Sequence, residues 1–231
     1  MKHFARALAL AGLLGLNASA QAALVPVDID NFNAADQFVT DDTLNGMPAS
    51  DGPVALPSSN GVATSRTLAI NVLAYNAAPT NSAIVDSGAS LLDVINETGE
   101  DSEVTVSWVI PSNLIPPGAF GSFFRIAVLQ SDGNPLTVEF LLNSASLGSF
   151  VVPGHTTNQD LLFTASAAQI NAGGTLQMII NGEAGWDADF GSVGLAYNTT
   201  PPTTTPEPVS LALFGAGLIG MRRLRRRFTV A

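Results

Sequence analysis

The sequence predicts an antiparallel all-β fold, a β-sandwich or jelly roll, on three observations. Apolar residues recur at every second position in several separate runs. Gly- and Pro-rich turn signals fall between those runs at intervals of about ten residues. Between the two ends of the chain, only a short stretch around Thr164–Ile170 reads as helix. No cysteine occurs among the 231 residues. Stability must therefore come from core packing or a bound ion rather than disulfides, and thiol chemistry is absent.

The chain opens with Lys2 and Arg6, continues through apolar Ala7–Leu16 and reaches Ala-Ser-Ala-Gln-Ala. This is the order of a secretory signal peptide, residues 1–22. Small residues at Ala20 and Ala22 fit cleavage before Ala23; Ala18 and Ala20 fit cleavage before Gln21. The expected machinery is the secretory translocon and a signal peptidase.

Residues 23–198 then read as one domain, an ordinary length for an all-β unit with a sizeable core. Leu68, Ile70 and Val72 alternate with Thr67, Ala69 and Asn71. Val104, Val106, Trp108 and Ile110 share one face, which makes Trp108 a core residue. Phe123–Leu129 is apolar on both faces apart from Arg125, the pattern of a central strand buried on both sides. Leu136–Asn143 and Leu147–Val152 read as a hairpin. Leu176, Met178 and Ile180 give a late strand. Asp51-Gly52-Pro53, Asn60-Gly61, Thr98-Gly99, Pro116-Pro117-Gly118 and Asp132-Gly133-Asn134-Pro135 supply turn signals.

Thr199–Thr205 is a Thr/Pro spacer that favours extended, polyproline-like backbone. Pro206-Glu207-Pro208 follows, then uncharged Val209–Met221, then Arg222, Arg223, Arg225, Arg226 and Arg227. As a helix the apolar part would reach ~20 Å at 1.5 Å per residue, short of a ~30 Å hydrocarbon core. The arginines would stay cytoplasmic and leave the body outside.

This tail resembles the PEP-CTERM sorting signal of Gram-negative bacteria. The resemblance covers residues 206–231. It implies that Pro206, Glu207 and Pro208 are read by an exosortase, a membrane-embedded cysteine transpeptidase. Val209–Met221 would be a transient inner-membrane anchor in the form of a C-terminal sorting helix, and the five arginines a stop-transfer. It further implies delivery to the cell surface or outside the cell, in association with exopolysaccharide or biofilm matrix.

Charge is partitioned sharply. The body holds two basic residues, Arg66 and Arg125, against eighteen acidic ones, a net −16. Nothing there would neutralise phosphates, so nucleic acid is excluded as a partner of the body. Asp28 with Asp30, and Asp187 with Asp189, each place two carboxylates on one side of a strand. First and last strands are commonly neighbours in jelly rolls, so these four are candidate ligands for Ca²⁺, with Asp36, Asp41 and Asp42 in reserve. Trp186, between Gly185 and Asp187, is the candidate for stacking on a sugar. His155 reads as a surface loop residue. The expected function is a non-enzymatic, exported matrix protein; the alternatives are a Ca²⁺-assisted carbohydrate-binding module and a secreted polysaccharide hydrolase using carboxylates such as Glu139 and Glu183.

Overall fold

The expected alternation produces two antiparallel sheets packed face to face. The structure, a computed structural model, describes residues 24–74 and 81–199. The readings placed on 1–22 and 200–231, signal peptide and sorting signal included, lie outside the described residues.

The six-stranded sheet runs in the order β10 (Ala145–Val152), β9 (Leu136–Leu142), β12 (Gly174–Gly182), β7 (Asp101–Ile110), β4 (Ser65–Ala74) and β3 (Ala49–Ala55). The seven-stranded sheet runs β11 (Thr157–Ala165), β8 (Phe120–Ser131), β13 (Ala188–Asn198), β6 (Leu91–Ile95), β5 (Ser82–Asp86) and β2 (Gln37–Val39). A further strand, β1 (Leu24–Asp30), also pairs with β13. A strand has two edges, and β8 lines one edge of β13 along its length. The other edge is therefore shared. β6 takes Ala188–Phe190, and β1 takes Val193–Asn198. The short helix α1 (Ala167–Ile170) is the only one among the described residues and links β11 to β12.

The inward rows follow the predicted period. Leu68, Ile70, Val104, Val106, Leu176, Met178 and Ile180 are fully buried in the six-stranded sheet. Phe124, Ile126, Val128, Phe190, Val193 and Leu195 answer them from the seven-stranded one. Phe124 on β8 stacks across the interface on Phe140 of β9, centroids 4.4 Å apart and planes 9° from parallel. The predicted hairpin forms between β9 and β10 through the two-residue turn Asn143-Ser144. Both turn residues have positive φ, 51° and 68°, as the hand of strand twist requires, and Asn tolerates this better than most residues.

Two strand expectations are corrected. Phe123–Leu129 is lateral-central, with neighbours on both edges, but only one of its faces is covered. Phe123, Arg125, Ala127 and Leu129 are half-exposed on the outer face. Asp51-Gly52-Pro53 does not end a strand; it is a bulge inside β3, where the register slips between Asp51 and Val54. An edge strand can accept the missing proline N–H, which is why the sequence signal misled.

The sandwich is fastened by a buried polar knot. Asp30 and Arg66 form an ion pair at 2.8 Å with both side chains fully buried. Asp30 also accepts from Trp108 Nε1 (2.7 Å), Asn60 Nδ2 (2.6 Å) and the Phe32 amide (2.8 Å). Arg66 Nε donates to Gln37 Oε1 at 2.6 Å, and Nη2 donates to the carbonyls of Ala34 and Ala35. The knot ties β1 and β2 of one sheet to β4 and β7 of the other.

Candidate functional site

The four predicted Ca²⁺ ligands do not converge. First and last strands do pair, but the register sets Asp28 opposite Gly194 and Asp30 opposite Val193. Asp189 lies four residues further along β13, ~13 Å away at the rise of a strand. Asp28 instead pairs with Arg125 (2.8 Å) on the outer face of the sheet, and Asp30 points inward into the buried knot. Among the described residues no group of three or more His, Cys, Asp or Glu is arranged to hold a metal ion. The reserve candidates also have local partners. Asp36 accepts from the Ser87 amide, and these Ser87 hydrogen bonds hold its carboxyl below the usual range. Asp41 accepts from Val72 and Thr43. Asp42 is exposed.

Asp187 and Asp189 do enter a site, with partners the sequence did not suggest. They line a cleft of about 360 Å³ with Asp93, Asp132, Gln130, Ser131, Ala188 and Ile95. The cleft sits where β6, the end of β8 and the start of β13 meet. Leu92 and Val94 are buried, so alternation turns Asp93 to the outer face. The β6–β13 register then sets Asp93 directly opposite Asp189. On its other side Asp189 faces Gln130 of β8.

The electrostatics follow from that crowding. Partial burial, a hydrogen bond with Asp189 and the charges of Asp189 and Asp187 push the Asp93 carboxyl up to about 6. Burial raises the Asp187 carboxyl as well; the Asn96 amide opposes the rise, and the charges of Asp132 and Asp189 add to it. Both shifts favour the protonated form relative to an isolated aspartate.

Trp186 has a different place from the one its neighbours suggested. It is fully buried and cannot stack on a ligand. Its Nε1 donates to the Ser102 carbonyl at 3.1 Å. Its ring covers Gly182, where an added Cβ would lie 2.6 Å from the Trp186 side chain. Asn96 Nδ2 donates to the Trp186 carbonyl (2.8 Å), and the Asn96 amide donates to Asp187 Oδ1 (2.6 Å). Asn96 thus ties the Trp186 backbone to the Asp187 carboxylate, while the Trp186 ring packs into the core against Gly182. Asp132 is held by Asn134, whose backbone amide donates to Asp132 Oδ1 at 2.9 Å.

Other sequence candidates lie elsewhere. His155 is exposed with φ 59° in the loop before β11, as expected of a surface loop residue. Glu139 faces outward on β9 and accepts from Ser146 Oγ at 2.6 Å. Glu183 is exposed just beyond β12. Glu139 pairs in register with Ile179, so the two glutamates are roughly 13 Å apart along the strand.

Comparison with known proteins gave no matching family model and no matching curated protein. Solved structures with partial likeness include a family 4 carbohydrate-binding module. It is 13% identical over 56% of this chain and 87% of that one, with a TM-score of 0.35. A second is the CBM6cm-2 module of Cellvibrio mixtus lichenase 5A in complex with cellotriose, 15% identical over 53% and 88%, TM-score 0.29. A third is the family 11 module of the Clostridium thermocellum cellulosomal cellulase Lic26A-Cel5E, 8% identical over 78% and 97%, TM-score 0.29. The assignment of a two-sheet antiparallel sandwich stands on the strand register itself.

Proposed function

We propose that this chain is an exported, non-catalytic protein whose β-sandwich binds neutral carbohydrate in the cleft between β6, β8 and β13. The observation that carries this reading is the cleft's set of polar groups. Four carboxylates and one amide converge beside the exposed side chain of Ile95. Sugar hydroxyls arrive in adjacent pairs that each donate and accept. A carboxylate offers two acceptor oxygens, a protonated one adds a donor, and an amide offers both. Strands hold Asp93, Gln130 and Asp189, and backbone amides hold Asp132 and Asp187, so little ordering entropy is lost on binding. The body's net charge of −16 repels anionic polymers and selects for neutral ones.

The same geometry argues against Asp93 and Asp189 acting together as a hydrolytic pair. Glycoside cleavage uses two carboxyl groups roughly 5–9.5 Å apart, with the scissile bond between them. Asp93 and Asp189 are within hydrogen-bond reach of each other, so this pair leaves no room for a sugar oxygen between its members.

Delivery is supported by the sequence ends. The signal peptide, the Pro206–Pro208 motif and the arginine cluster support export, transient anchoring in the inner membrane and processing by an exosortase. An exopolysaccharide of the cell surface or biofilm matrix is then the proposed ligand. Screening the purified full chain on a glycan array tests this reading. Binding to one or more neutral polysaccharides supports it. Retention of no glycan by the wild type counts against it.

A further inference from the structure

Strand β6 joins the seven-stranded sheet through three residue pairs only: Ala188 with Val94, Asp189 with Asp93, and Phe190 with Leu92. β6 carries β5, and β5 carries β2. Within this sheet the three-stranded flank is therefore joined along one short seam. The middle pair of the seam sets two carboxylates directly opposite each other, an arrangement that destabilises a sheet when both are charged.

Among the described residues no base compensates them. The segment before β13 adds Asp187, two residues from Asp189, and the segment after β8 adds Asp132. β8 places uncharged Gln130 opposite Asp189, and β5 places Ile84 opposite Asp93. The one base on these four strands is Arg125. It sits five residues along β8 from Gln130 and is tied to Asp28 and Asp160.

We infer that the Asp93–Asp189 pair is a proton-operated latch: one shared proton bridges the carboxylates and closes the β6–β13 seam, and its loss loosens the β2–β5–β6 flank. The raised Asp93 carboxyl, pushed up to about 6, gives the window. A carboxyl raised on folding adds stability that is complete below its unfolded value near 4. That stability is lost as pH climbs through about 6. The latch is therefore shut in mildly acidic surroundings and slack above neutrality.

Hydrogen exchange on the full chain, with no glycan present, tests the latch separately from the binding reading. Rates are corrected for the intrinsic effect of pH. The amides of Leu92–Val94 and Ala188–Phe190 are expected to lose about fivefold in protection between pH 5 and pH 8, while the β4–β7 ladder changes little. Asp93→Asn and Asp189→Asn should each remove that pH dependence. Asp101→Asn, a carboxyl also raised by burial but outside the seam, should leave it intact. Equal seam protection at both pH values in the wild type would overturn the inference. So would a pH response that survives in both seam variants or vanishes in Asp101→Asn.

Discussion

Replacing Asp30 with alanine should cost more stability than any other single carboxylate change in this domain. Asp30 is fully buried and serves four donors: Arg66 Nη1, Trp108 Nε1, Asn60 Nδ2 and the Phe32 amide. Removing it strands the Arg66 guanidinium, itself fully buried, as an uncompensated charge. Such a loss costs about 3–5 kcal/mol. Three neutral donors lose a partner as well, each worth about 1–3 kcal/mol when orphaned. The terms overlap, because one relaxed side chain or an entering water can satisfy more than one group. A total of about 5 kcal/mol is therefore expected, against a typical stability of about 5–15 kcal/mol. At about 2–4 °C per kcal/mol for a domain of this size, the melting temperature should fall by roughly 10–20 °C. Circular-dichroism melts of the full chain in mild detergent would measure it. The double variant Asp30→Leu/Arg66→Met should recover most of the loss, because a well-packed apolar pair can replace a buried ion pair. A melt within about 3 °C of wild type for Asp30→Ala would refute the description of this knot.

Three other outcomes are expected. Trp186→Ala should destabilise by about 3–5 kcal/mol, through the cavity left in the core against Gly182. A variant that keeps wild-type stability and loses only glycan binding would contradict the burial of that ring. The melting temperature should fall as pH rises through 6. A shift from 3.8 to about 6 corresponds to ~3 kcal/mol undiscounted, reduced by solvent screening of this half-exposed pair to about 1 kcal/mol, or ~2–4 °C. The fall should be flatter in Asp93→Asn, and a rising curve would show the sign to be wrong. Replacing Pro206 and Pro208 with alanine should leave the precursor in the membrane fraction; normal release of that variant would remove the sorting reading.

Much of the fold can be read from alternation. Val104, Val106, Trp108 and Ile110 needed only their spacing to be assigned inward, because the strand period is fixed by geometry. The adjacency of first and last strands was also foreseeable. Register was not. Whether Asp28 faces Asp189 or Gly194 depends on a slip of a few residues, which local pattern does not encode. The buried role of Asp30 turned on the same point, since the bulge between Asp28 and Asp30 sends one carboxylate out and the other in. The site was half visible. Asp187 and Asp189 stood out as a pair. Asp93 was not singled out: its one local signal is being polar within Leu-Leu-Asp-Val-Ile, and its partnership with Asp189 is a long-range pairing. Trp186 misled because a tryptophan amid glycines and acids looks exposed. Gly182 in fact leaves a bare backbone for the indole to lie against.

The carbohydrate reading is tested most directly by calorimetric titration of the full chain with oligosaccharides of a neutral glycan retained on the array. Binding is predicted to weaken tenfold or more in Asp189→Ala, equivalent to about 1.4 kcal/mol. Asp160→Ala, on β11 outside the cleft, should bind as wild type. Equal affinity in the wild type and Asp189→Ala, or loss of binding in Asp160→Ala alone, would contradict the assignment of this cleft.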